Sequence, residues 1–242
     1  MYDPHQVLQA LDANKVGVIA FCGLAMIFNY IWFVQAVRQG FKDQVYPIPM
    51  FSTLFWLCGD GTGVLRHDMY FVQYHHWYLE LFWYALIFTV TFEIIFIVMT
   101  LKFGKKELTP RWRSQDFYLL FAGGAVIFGL SWAYILTALP DDLNIIYFNL
   151  ANMAGPIAMA MLILRRGGST AGTSTAIWVN YTLMISCWYF AQYTYFGPEF
   201  RTPLMLTFYL VNIGSAAGLA VYLWRQRVPK TAAPDHKQAS MA

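Results

Sequence analysis

Charge is what this 242-residue sequence has least of: 12% of it is Asp, Glu, Lys or Arg, about half the roughly 25% of a soluble domain. That scarcity excludes an ordinary water-soluble fold. Cysteine is sparse too. Cys22, Cys58 and Cys187 all lie inside apolar stretches, so there is no disulfide framework and they read as small buried hydrophobes. Of the five histidines, His5 and His236 are terminal, which leaves too few for a bis-histidine haem or a membrane di-iron centre. No apolar stretch carries the lysine that a retinal Schiff base needs. A Gly-rich phosphate loop, a serine elbow and a zinc signature are also missing. His67, Asp68, His75 and His76 cluster between two apolar stretches. They are acceptable metal ligands by type, but their spacing fits no metal motif, and a solvated loop is the reading adopted. No metal and no cofactor is called for.

What the sequence has is hydrophobic (58%) and aromatic (19%) residues. Seven stretches, near 16–37, 48–65, 76–101, 117–138, 143–164, 174–195 and 203–224, approach or exceed the roughly 20 residues of helix that cross a bilayer. The expected fold is all-α: a polytopic bundle of seven transmembrane helices in one domain, residues 1–227, with a disordered polar tail at 228–242. Thirteen Lys and Arg fall in the segments after the first, third, fifth and seventh stretches, and three (Lys15, Arg66, Arg201) on the opposite side. The positive-inside rule therefore puts the N-terminus outside and the C-terminus in the cytoplasm. The acidic segment before the first stretch (Asp3, Asp12) argues for an uncleaved span. The basic residues are scattered over four segments, which excludes a nucleic-acid surface. The host membrane is expected to be a bacterial plasma membrane or the endoplasmic reticulum. Its lipids, and a lipophilic small molecule drawn from them, are the expected partners.

Carboxylates inside a span are costly, about 2.5–3.5 kcal/mol at the helix centre, and mark function. Asp60, Glu80 and Glu93 are the three here. Counting about 1.5 Å per residue from the helix ends places Asp60 and Glu80 in one outer layer and Glu93 about 20 Å deeper than Glu80, away from them. Asn149, Asn152 and Asn212 fall at the depth of the outer layer, with Trp56, Trp83, Trp132 and Trp188 as candidate walls. Two acids in one apolar pocket leave at least one protonated at neutral pH and able to act as a general acid. The alternative for each asparagine is interhelical hydrogen bonding. Pro156 and the run Gly59-Asp60-Gly61-Thr62-Gly63 are the two places where a span looks breakable.

The segment PIPMFSTLFWLCGD, residues 47–60, resembles the second helix of the transmembrane terpene cyclases of fungal meroterpenoid and indole-diterpene pathways. In those proteins a proline opens the helix and an Asn-x-x-Trp-Glu motif follows. Trp77-Tyr78-Leu79-Glu80 is similar to the Trp-x-x-x-Asp pattern of their third helix. Residues 149–178 resemble their Asn-rich fifth helix, the Arg-Gly turn and the Gly-x-Ser that opens the sixth. This sequence departs from the pattern with Trp56 and Gly59 in the helix-two motif, a shortened acid at Asp60, and Asn212 where an aspartate is expected.

The resemblance implies a cyclase or isomerase in which a carboxylic acid protonates the epoxide or alkene of an isoprenoid, with no metal and no diphosphate chemistry. It makes Asp60 the general acid, Glu80 its partner or the final base, and Asn149 and Asn212 orienting groups. The residues allow that chemistry independently, because aromatic faces stabilise cations and a dry pocket protects them. The competing classes are a small-solute or proton-coupled transporter, disfavoured by the lack of an internal repeat, and a non-catalytic membrane subunit.

Overall fold

The chain enters its first helix at Asp3, whose carboxylate accepts from the His5 backbone N–H at 2.9 Å while Pro4 takes the first helical position. Both are helix-start signals. This computed structural model describes residues 2–139 and 141–227; the polar tail at 228–242 lies outside the described residues. The helices are α1 (Pro4–Ala13), α2 (Lys15–Asp43), α3 (Met50–Leu65), α4 (Trp77–Leu108), α5 (Ser114–Ala138), α6 (Ile145–Arg165), α7 (Thr175–Tyr195) and α8 (Pro203–Arg227). A π turn, Met69–Gln73, lies between α3 and α4, and a 3-10 turn, Pro198–Arg201, precedes α8. There is no strand among the described residues.

Five helices, α2, α4, α5, α6 and α8, are long and apolar enough to cross a membrane. Of the other two long helices, α3 has only 16 residues, and α7 dilutes its apolar surface with Asn180, Thr182, Ser186 and Gln192. Six helices close a ring in the order α2, α7, α8, α6, α3, α4, with α4 returning to α2; α5 packs outside it on α3 and α4.

Neither suspect span breaks. α3 runs unbroken through Gly59, Gly61 and Gly63. A Cβ on Gly59 would overlap the Tyr147 ring, and one on Gly63 would press on Leu86 and Asn144, so these two glycines serve close approach, not a kink. α6 continues through Pro156. Proline there cannot donate to the carbonyl of Asn152 four residues earlier, and the Tyr181 hydroxyl of α7 takes that carbonyl at 2.8 Å. α4 extends to Leu108, beyond the continuous apolar run, because Lys102, Lys105, Lys106 and Glu107 favour helix in a polar setting.

Polar clamps bind each end of the bundle. At one end Glu107 accepts from Arg166 (2.9 Å) and from the Tyr46 hydroxyl (2.9 Å), and Asp43 accepts from Gly172 N–H (2.7 Å). At the other, Asp141 accepts from the Tyr2 hydroxyl and from the backbone N–H groups of Ile145 (3.0 Å) and Tyr147 (2.8 Å). Burial raises the Asp141 carboxyl above the usual carboxylate range, opposed by those hydrogen bonds and by Arg66.

Candidate active site

Inside the ring, α2, α3, α4, α6 and α7 surround a cavity of about 60 Å³ that holds two carboxyl groups, those of Asp60 and Glu93. They are 3% and 1% exposed and face the same small cavity. No residue lining the cavity is basic, and neither Glu93 oxygen accepts from any N–H or O–H donor of the described residues. Two carboxyl groups in one such cavity cannot both carry charge, so at least one of them holds a proton. The Tyr147 hydroxyl donates to the Trp56 carbonyl at 2.9 Å, and Tyr147 lines the cavity together with Asp60. Its ring is held edge-on against Trp132, 4.7 Å between centroids.

The walls are aromatic. Trp32 meets Trp56 edge to face at 5.7 Å and Tyr181 at 5.3 Å, while Phe148 packs on Trp188 at 5.7 Å and Phe82 at 5.3 Å. Asn29 and Asn152 add amides to the lining, and the buried Trp32 Nε1 has no hydrogen-bond partner among the described residues. The arrangement combines a proton donor, a neighbouring carboxyl able to take a proton back, and π faces for a cation between them.

Of the residues singled out from sequence, Asp60, Asn152, Trp56 and Trp188 line this cavity. Glu80 does not: it sits in the first turn of α4, 3.3 Å from His75 and a third exposed. The shared layer of Asp60 and Glu80 is therefore corrected to one of Asp60 and Glu93. The cause is register. α4 is twice as long as α3 and starts farther out, after the climb through the π turn, so helix ends are a false common origin. The true marks are Trp83 Nε1 donating to Val64 O at 2.8 Å and Leu86 against Gly63, which bring the Thr89 to Glu93 turn level with Asp60.

Four more expectations of place are corrected. Asn149 is locked in a reciprocal pair with Gln192 (2.9 and 2.8 Å), to which Trp188 and Tyr209 also bond, tying α6, α7 and α8 together. Asn212 lies on α8, which contributes nothing to the lining, and donates to Phe208 O at 3.2 Å. Trp83 packs outside on His67 and Phe71, and Trp132 stands behind Tyr147. The outer histidines point to separate partners: His67 to Asp68, His75 to Glu80 and His76 to Asp12.

Glu93 has a signal in the sequence. It falls on a stripe, Leu79, Phe82, Leu86, Thr89, Glu93, Phe96 and Thr100, that recurs every three or four residues and is wholly buried; Glu80 is one residue off it. Tyr147 and Trp32 carry no comparable mark, since aromatics fill every face of this bundle.

Compared with known proteins, residues 2–212 match the family model of the Pyr4-like transmembrane terpene cyclases. Curated proteins and solved structures gave no match.

Proposed function

This chain belongs to the Pyr4-like transmembrane terpene cyclases, and from that premise we propose that it cyclises or isomerises a lipophilic isoprenoid by acid-initiated chemistry within the membrane. It is a multi-pass integral membrane protein. The observation that carries the mechanism is the buried Asp60 and Glu93 pair in an aromatic cavity without a cation. Asp60 is the general acid that protonates an epoxide oxygen or alkene carbon. The electron pair of the next double bond closes the ring, the cation passes along Trp32, Trp56 and Trp188, and loss of a proton to the carboxylate of the pair ends the reaction. Glu93 takes the role of partner that Glu80 holds in the helix-end arithmetic. Tyr147, held by its hydrogen bond to the Trp56 carbonyl, forms the wall of the cavity beside Asp60. We further propose that all seven long helices span the bilayer, the N-terminus outside.

The test is mass spectrometry of lipid extracts from cells expressing the intact chain and its variants, fed polyprenyl epoxides and polyprenyl-bearing aromatics. A product isomeric with its substrate is expected from the intact chain. Asp60→Asn and Glu93→Gln should each lower its yield by about a hundredfold or more, the usual range for removing an acid–base group. Glu80→Gln should leave the yield within about twofold, as for an exposed group away from the reacting atoms. Undiminished product from well-expressed Asp60→Asn overturns the assignment.

A further inference from the structure

A second cavity, about 240 Å³, lies between the outer halves of α2 and α4 and is lined by Val18, Cys22, Gly23, Tyr78 and Ala85 among others. It shares Met26, Phe82 and Trp188 with the acid cavity, so the two are neighbours across a wall of three side chains. Its rim is open to lipid: Ile19 and Leu81 are 48% and 57% exposed. Below it α2 and α4 close up, with the Tyr30 hydroxyl donating to Ala85 O at 3.1 Å and Phe33 stacked on Phe92 at 5.1 Å. Above, its outer end meets a polar rim, where Lys15 lies 4.9 Å from the Trp77 ring and the Trp77 indole donates to Asp12 at 2.7 Å.

Size gives this groove its purpose. A cavity of about 150 Å³ takes one benzene, so the 60 Å³ beside the acids is too small for most of an isoprenoid, whose chain must lie elsewhere. Resting on the functional reading above, we infer that the α2/α4 groove is the substrate's lateral portal and tail subsite. It takes a linear amphiphilic isoprenoid from the outer half of the bilayer, with the epoxide or alkene end passing Met26, Phe82 and Trp188 to the acids. The unreacted chain lies along residues 18–26, a run of about 12 Å, and the polar end rests at the Lys15 and Trp77 rim. Met26 is the flexible member of the dividing wall, an unbranched side chain that can swing aside.

A diazirine-bearing geranylgeranyl phenyl ether, photolysed with the whole chain in lipid nanodiscs and mapped by peptide mass spectrometry, tests this. Adducts should concentrate on residues 18–26 and 77–85. Gly23→Phe directs a ring into the groove: a Cβ at Gly23 meets nothing within 4 Å, and the residue borders the 240 Å³ of open space. Groove adducts should then fall about tenfold, the factor that about 1.4 kcal/mol of lost binding produces. Gly123→Phe, on the lipid-exposed face of α5 with equally open space, should leave them unchanged. Adducts spread over the lipid-facing helices and indifferent to Gly23→Phe overturn the inference. Asp60→Asn keeps the labelling while removing product. Labelling that obeys the groove with no product from any substrate would keep the portal and remove the chemistry.

Discussion

A methyl group added at position 59 would fall on the Tyr147 ring, and that ring has nowhere to go. Its hydroxyl is tied to Trp56 O, and Phe55 and Trp132 flank it at 5.7 and 4.7 Å. Gly59→Ala is therefore an overpacking change next to the acid, of a kind that costs about 1–3 kcal/mol. Its destabilisation, read by thermal unfolding in detergent, should exceed that of Gly61→Ala, where a Cβ meets nothing within 4 Å. Equal melting of the two variants would mean that Tyr147 is not held as described. No larger residue at 59 can share that space with the Tyr147 ring.

At the scale of the element, α6 brings Tyr147 to Asp60 because its first turn is anchored by Asp141. That carboxylate satisfies two of the orphan N–H groups of the helix start and holds Tyr2, while Arg66 bonds the Asp141 carbonyl (2.8 Å) and Asn144 (3.0 Å). Asp141→Ala leaves those donors without an acceptor. A stability loss of about 1–3 kcal/mol is expected, with faster amide exchange at Ile145 and Tyr147; Asp141→Asn, which keeps one acceptor oxygen, should lose less. Exchange unchanged by Asp141→Ala would show that water replaces the cap. The helices themselves were legible from apolar runs, their starts agreeing to within a few residues, because each run is bounded by Pro, Gly or charge. Their relative heights were not. Helix rise measures distance along one helix only, and the offset between α3 and α4 depends on how far residues 66–76 climb. α3 and α7, the helices least like spans by length or hydropathy, both line the cavity, α3 with Trp56 and Asp60 and α7 with Tyr181, Met184 and Trp188.

For the molecule as a whole, the two polar clamps sort the ends. Seven long helices joined in succession put the start of α2 and the end of α8 at opposite ends. The Glu107, Arg166 and Asp43 clamp gathers the ends of α2, α4 and α6 on the side that carries most of the Lys and Arg. Asp12, Asp141 and Asp142 hold the other end, where Tyr74 donates to Asp142 at 2.8 Å. In the proposed orientation, where the excess of thirteen basic residues over three puts the basic end in the cytoplasm, the groove, flanked by Lys15 and Trp77, opens toward the opposite leaflet. An epitope appended to the C-terminus should be destroyed by protease in sealed inverted vesicles and survive in sealed right-side-out ones. The reverse pattern would invert the whole bundle and move the portal to the cytoplasmic leaflet. The contacts between α2 and α4 would be unaffected, because the groove is a property of the fold while its leaflet is a property of the charge distribution.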